Sequence, residues 1–184
     1  MRKSCNVRCG TEPQPHADIR VIWHDEHLLV LDKPTGLLSV PGKGPAGADC
    51  LSARVQARWP DALVVHRLDM ATSGLMVMAR GAANQRILSM AFARRLARKR
   101  YEAVVYGWLP GTACTHSADA DGWRTIDLPL IVDWPNRPRS KVCHASGKPS
   151  LTRWRAMDAA ADSASTRLEL EPVTGRSHQL RVHL

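Results

Sequence analysis

The chain has no apolar run approaching the length of a membrane span, and no apolar segment of the signal-peptide kind at its N-terminus. Both absences argue against a secreted or membrane-spanning protein and predict a soluble, cytoplasmic one. Cysteine is sparse: Cys5, Cys9, Cys50, Cys114 and Cys143 are scattered, odd in number, and form no Cys-x-x-Cys pair. That disfavours a disulfide framework and a structural zinc site. Acidic residues are outnumbered, 17 Asp and Glu against 26 Lys and Arg, for a formal charge of +9. Such a surplus points to a polyanionic partner, either nucleic acid or an anionic membrane surface. Gly42-Lys43-Gly44 lacks the Gly-Lys-Ser/Thr ending of a phosphate-binding loop, so a nucleotide site has no support. There is no internal repeat and no low-complexity tract.

What is present suits one domain, with 184 residues of which 44% are hydrophobic. Met1 to Ala17, with two prolines and little apolar pattern, reads as a flexible basic leader. Ile19–Trp23 and Leu28–Leu31 read as strands joined by the polar turn His24-Asp25-Glu26-His27. In Asp32-Lys33-Pro34-Thr35-Gly36, proline fixes φ and glycine tolerates a positive one, which predicts a turn. Residues 41–48 read as a mobile Gly/Pro loop. Asp49 is placed to cap a helix running to Trp59, which Pro60 ends. A second helix spans about Ala82–Ala97, its apolar face Ile87, Leu88, Ala91, Phe92 and Leu96. Tyr101–Trp108, Ser150–Met157 and Thr166–Glu171 read as strands, and Leu109–Arg124 as a polar loop. Ser177 can cap a short helix near the end.

Between two short apolar runs, Ala62–Val65 and Leu75–Ala79, lies His66-Arg67-Leu68-Asp69-Met70-Ala71-Thr72-Ser73-Gly74-Leu75. Strand, polar loop, strand is the pattern. It fits an ordinary Asx-type turn, and it equally fits a carboxylate held on a rigid loop for chemistry. His-Arg-Leu-Asp-x-x-Thr-Ser-Gly-Leu resembles the signature of the RluA-type pseudouridine synthases, RNA-modifying isomerases that convert uridine to pseudouridine. The likeness runs from about Val21 to Leu184. It includes Asp32-Lys33-Pro34-x-Gly36 and Thr174-Gly175-Arg176-x-His178-Gln179-x-Arg181-x-His183. The segment Asp133 to Cys143 is most similar to the branch that gives the family its name.

The resemblance implies an α+β fold, with a mixed, largely antiparallel sheet and flanking helices. The catalytic domain would occupy residues 18–184, with no S4 domain before it, and neither metal nor cofactor. It implies that Asp69 is the essential catalytic group, that Arg176 pairs with it, and that Tyr101 stacks on the target base and takes part in proton transfer. Arg67 would fill the space left by the flipped uridine. Substrates of that branch would be a hairpin of 23S rRNA and a tRNA anticodon stem-loop, met by a monomer. From composition alone, Arg94, Arg95, Arg98, Lys99 and Arg100 exceed what a helix C-terminus needs and read as a phosphate-contacting patch. Lys33 is a further candidate phosphate contact. Trp134, with Arg137, Arg139 and Lys141, can stack on bases and hold backbone.

Two other classes compete. A glycoside hydrolase wants two carboxylates flanking the bond, and the motif supplies one. An RNA-binding module without activity fits the charge equally well, although Asp69 would repel phosphate. The apolar-periodic element that stops at Leu184 predicts a continuing segment, as family members have. Residues 1–184 alone are expected to fold poorly and turn over little.

Overall fold

The computed structural model describes residues 19–107, 118–158 and 164–184. The expected basic leader and most of the expected 109–124 loop lie outside them. The chain divides into two compact units, Met1–Ser89 and Met90–Leu184.

The first unit is built on a four-stranded sheet of order β1-β2-β4-β3, comprising β1 (Arg20–His24), β2 (Leu28–Lys33), β3 (Ala62–Val64) and β4 (Gly74–Arg80). Every pairing is antiparallel. Alternation in β2 and β4 sends Leu29, Leu31, Met76 and Met78 to one face, where all are fully buried. Helix α1 (Leu51–Arg58) adds Leu51 and Val55 to the core. Asp25 closes the β1–β2 turn by accepting the N–H groups of His27 and Leu28, which hold its carboxyl below the usual range.

Three local expectations change. Cys50, not Asp49, caps α1: its Sγ accepts the Ala53 N–H, while Asp49 binds the Arg54 guanidinium at 2.6 Å. The 41–48 loop is closed by a 3-10 turn, Pro45–Gly47, and by Gly42 N–H donating to Gly47 O. Helix α2 (Gly81–Ala93) ends four residues earlier than its apolar pattern suggests. Arg95 takes a left-handed φ of 60°, Leu96 N–H reaches Ala91 O, and Arg95 N–H reaches Phe92 O. That is a Schellman stop, usually marked by glycine, so the sequence carries no sign of it. Leu96 then falls past the helix and is exposed.

The second unit holds a four-stranded antiparallel sheet of order β5-β10-β9-β6, from β5 (Tyr101–Tyr106), β6 (Arg124–Asp127), β9 (Leu151–Asp158) and β10 (Ser165–Pro172). One face carries Trp154, Leu168 and Leu170, with Tyr101, Ala103, Val105 and Leu180 against them. A separate hairpin joins β7 (Leu130–Val132) to β8 (Ser140–Val142). Pro135 and Pro138 sit in the connection, outside the ladder, where no N–H is needed. The last helix, α3 (Gln179–His183), starts from His178 in a left-handed conformation, φ 54°. Ser177 makes no cap there. The α+β fold is the expected one, with antiparallel ladders and few helices.

Candidate active site

The Asp69 loop is fastened to the turn that follows β2. Ser39 Oγ donates to Leu68 O and accepts the Leu68 N–H, at 2.7 and 3.1 Å. Gly36 N–H donates to Met70 O at 2.8 Å, and Thr35 Oγ1 to Ala71 O at 2.8 Å. Thr72 N–H closes the loop on Asp69 O, and His66 Nε2 accepts the Val77 N–H from β4. Gly36 and Gly74 have φ of 81° and 117°, values that a side chain would strain. Two sequence motifs thus form one rigid body, with Leu68 buried and Asp69 half-buried beside it.

Lys33 is the internal post of that body. It was expected to face RNA, but it is fully buried. Its Nζ donates to Leu37 O at 2.7 Å, Pro34 O at 2.9 Å and Met70 O at 3.1 Å. All three ammonium protons are used, so none is left for a phosphate. Burial pushes its pKa down, and the Asp69 carboxylate works against that. Lys33 therefore ties the loop and places a positive charge near Asp69. Arg67 is exposed next to it.

The second unit carries the other expected residues. Tyr101 opens β5 opposite Leu170, its ring on the Trp154 core and half-exposed. Arg176 is exposed on the turn after β10, with Nε and Nη2 3.4 and 3.3 Å from Pro149 O. Lys99 is half-buried, and its Nζ lies 3.8 Å from where a Cβ on Gly175 would stand. Burial, then the charge of Arg95, lowers its pKa.

The basic run after α2 is not uniform. Arg94, Arg95 and Arg98 are exposed. Arg100 reaches Glu169 at 3.3 Å and Glu171 at 3.6 Å, and its guanidinium lies 4.5 Å from the Trp123 ring centroid. Arg153 and Arg155 also cover Trp123 and pair with Asp119, Glu171 and Glu169. Arg100 therefore belongs to a charge-balanced network on the sheet. On the β7–β8 hairpin, Trp134 is exposed with Arg137 stacked at 3.9 Å. Lys141 pairs with Asp133 at 3.1 Å, and Arg139 is exposed.

Gln179 and His183 enter the sequence reading only as members of the motif, with no role; both are buried. His183 contacts Thr152 Oγ1 through Nδ1 at 2.9 Å and Leu128 O through Nε2 at 3.1 Å. Burial lowers its pKa, partly offset by the Leu128 carbonyl and the charge of Asp127. The folded chain thus binds a proton less readily than the unfolded one, whose His titrates near 6.5. Its contribution is complete above about pH 6.5 and is lost as the pH falls through the lower folded value. Urea unfolding followed by far-ultraviolet circular dichroism should show that decline, and His183→Gln should flatten it. A wild-type profile that the substitution leaves unchanged would rule His183 out as its source.

Comparison with known proteins follows the same residues. Residues 27–184 match the model of the RNA pseudouridylate synthase family. The chain is 48% identical over 164 residues to the dual-specificity RNA pseudouridine synthase RluA of Salmonella typhi, covering 89% of this chain and 70% of that protein. Identity to the RluA of Escherichia coli K12 is 46% over the same length and with the same coverage. Among solved structures, human RNA pseudouridylate synthase domain containing 1 superposes with a TM-score of 0.70 at 24% identity, covering 94% of this chain and 66% of its own. Human RNA pseudouridylate synthase domain containing 4 gives 0.66 at 22%, covering 89% and 62%. At those identities the human structures speak for the fold, and the bacterial relatives speak for the branch. The chain belongs to the RNA pseudouridylate synthase family of RNA-modifying isomerases, in its RluA-type branch.

Proposed function

We propose that this protein isomerises uridine to pseudouridine in structured RNA, with Asp69 as the group that starts the reaction. The observation that carries the reading is the clamped Asp69 loop, a single carboxylate held by backbone bonds on both sides with the Lys33 charge close by. Isomerisation breaks the N-glycosidic bond, turns the base, and forms a C–C bond between the same two partners. One carboxylate suffices, either as nucleophile at the ribose or as the base that begins elimination to a glycal. Arg176 would pair with Asp69 and favour its ionised form, as a neighbouring cation does. The uridine must leave the stack, at a cost of a few kcal/mol. Arg67 would fill its place, and Tyr101 would hold it by stacking, worth about 1–3 kcal/mol.

The substrates proposed are those of the branch, a 23S rRNA hairpin and a tRNA anticodon stem-loop, bound by a monomer. Arg94, Arg95, Arg98 and Lys99 would take phosphates, as would Arg137, Arg139 and Lys141, with Trp134 stacking. Nucleoside analysis of each RNA after incubation with the protein tests the reading. New pseudouridine at a single site supports it; tight binding without product would leave an RNA-binding module instead.

The patch has its own test. For a single strand, log K falls with log salt by about 0.7 per phosphate neutralised. Replacing Arg94 and Arg98 by Ala should flatten the slope by roughly one unit or more. Arg100→Ala should change it far less, because Glu169 and Glu171 already balance that charge. Equal changes in both variants would contradict this division.

A further inference from the structure

Gln179 holds Arg176 by both sides of its backbone. The Gln179 N–H donates to Arg176 O at 3.2 Å, and Gln179 Oε1 accepts the Arg176 N–H at 3.0 Å. The same Oε1 accepts from Thr174 Oγ1 at 2.7 Å, and Thr174 Oγ1 accepts the Leu151 N–H at 2.9 Å. On its other side, Gln179 Nε2 donates to Leu151 O at 3.0 Å and Thr152 Oγ1 at 2.9 Å. All four side-chain bonds of a buried amide are therefore made. They span from the Thr174–Arg176 turn to the first two residues of β9.

The proton directions in this chain are determined. Leu128 O can only accept, so His183 carries its proton on Nε2. Nδ1 of the neutral ring then accepts from the Thr152 hydroxyl. Thr152 Oγ1 in turn accepts from Gln179 Nε2, which orients the amide with its oxygen toward Arg176. A flipped amide would set two donors against the Arg176 N–H. Such a fully satisfied network in a low-dielectric interior makes one arrangement of its members strongly preferred.

We infer that Gln179 is a positioning residue for Arg176, and that His183 and Thr152 act through it by fixing its amide. This rests on the proposed role of Arg176 beside the reacting carboxylate. Arg176 lies on an exposed turn, and among the described residues its guanidinium has only long contacts to Pro149 O. Its direction is set mainly by where its backbone stands. The amide that holds that backbone then controls chemistry more than RNA affinity.

Gln179→Met keeps the volume and removes the four side-chain bonds. With the whole protein and an RNA substrate, kcat should fall on the order of 10- to 100-fold, the scale of a misplaced catalytic group. KM for RNA should stay within roughly twofold. Hydrogen exchange gives a readout independent of activity: the Arg176 amide should exchange about tenfold faster or more, while the Leu168 and Leu170 amides stay protected. If Met at this position unfolds the chain, Gln179→Asn, too short to reach both sides, is read in the same way. An Arg176 amide that stays protected overturns the inference. So does deprotection of Leu168 and Leu170 in step with Arg176, which would make Gln179 merely structural. Should the wild type form no pseudouridine, the functional reading fails, and the exchange rates still decide whether Gln179 holds Arg176.

Discussion

Asp69→Asn is expected to abolish product, lowering turnover by roughly 10³-fold or more, the scale on which one member of a catalytic unit is felt. The physical case is that the amide can neither attack the ribose nor take a proton. The loop itself should survive. Its ties run through the backbone of Leu68, Met70 and Ala71 and through Asp69 O, none of which needs the carboxylate. RNA affinity should hold or rise slightly, because a negative charge is removed from a surface that meets phosphate. Nucleoside analysis and a binding isotherm on the same RNA separate the two effects. Substantial pseudouridine from this variant would transfer the chemistry to another group.

Lys33→Met should be the most destabilising of these substitutions, by roughly 2–5 kcal/mol, because a buried carbonyl left without its donor costs about 1–3 kcal/mol. Total stability of a domain is about 5–15 kcal/mol. Methionine fills much of the volume, but Pro34 O and Leu37 O lose the Lys33 donor, and Met70 O keeps only the Gly36 N–H. The loop carrying Asp69 would loosen first, since one of the two ties at Met70 O is lost. Activity should therefore fall at urea concentrations well below the unfolding transition. A loss under about 1 kcal/mol would mean that water replaces the ammonium at no great cost.

These two residues show where sequence reading stops. Asp69 was visible because its neighbours form a long motif between two apolar runs. Lys33 was misplaced because a lysine beside proline and glycine looks like a solvated turn. Its acceptors come from positions 34, 37 and 70, and the last arrives only when β2 and β4 pair. Arg100 shows the same limit: it stands in a run of five cations, and the carboxylates that pair with it lie on β10, about seventy residues away.

Period-two alternation in β5 and β10 and the Leu51–Val55 stripe of α1 follow from the order of residues alone, because neighbouring side chains are geared to the local backbone period. So does the surplus of positive charge. The apolar face expected for α2 does not hold: Ile87 and Leu96 are exposed. The family motifs also identify the candidate carboxylate and arginine. Tertiary structure alone decided which polar groups are buried, which cations are already paired, and how the two halves of a motif such as Gln179 and Arg176 grip one another. Hydrogen bonds and ion pairs depend on positions in space to within a few tenths of an ångström. Residues far apart in the chain reach such positions only after the sheets have formed.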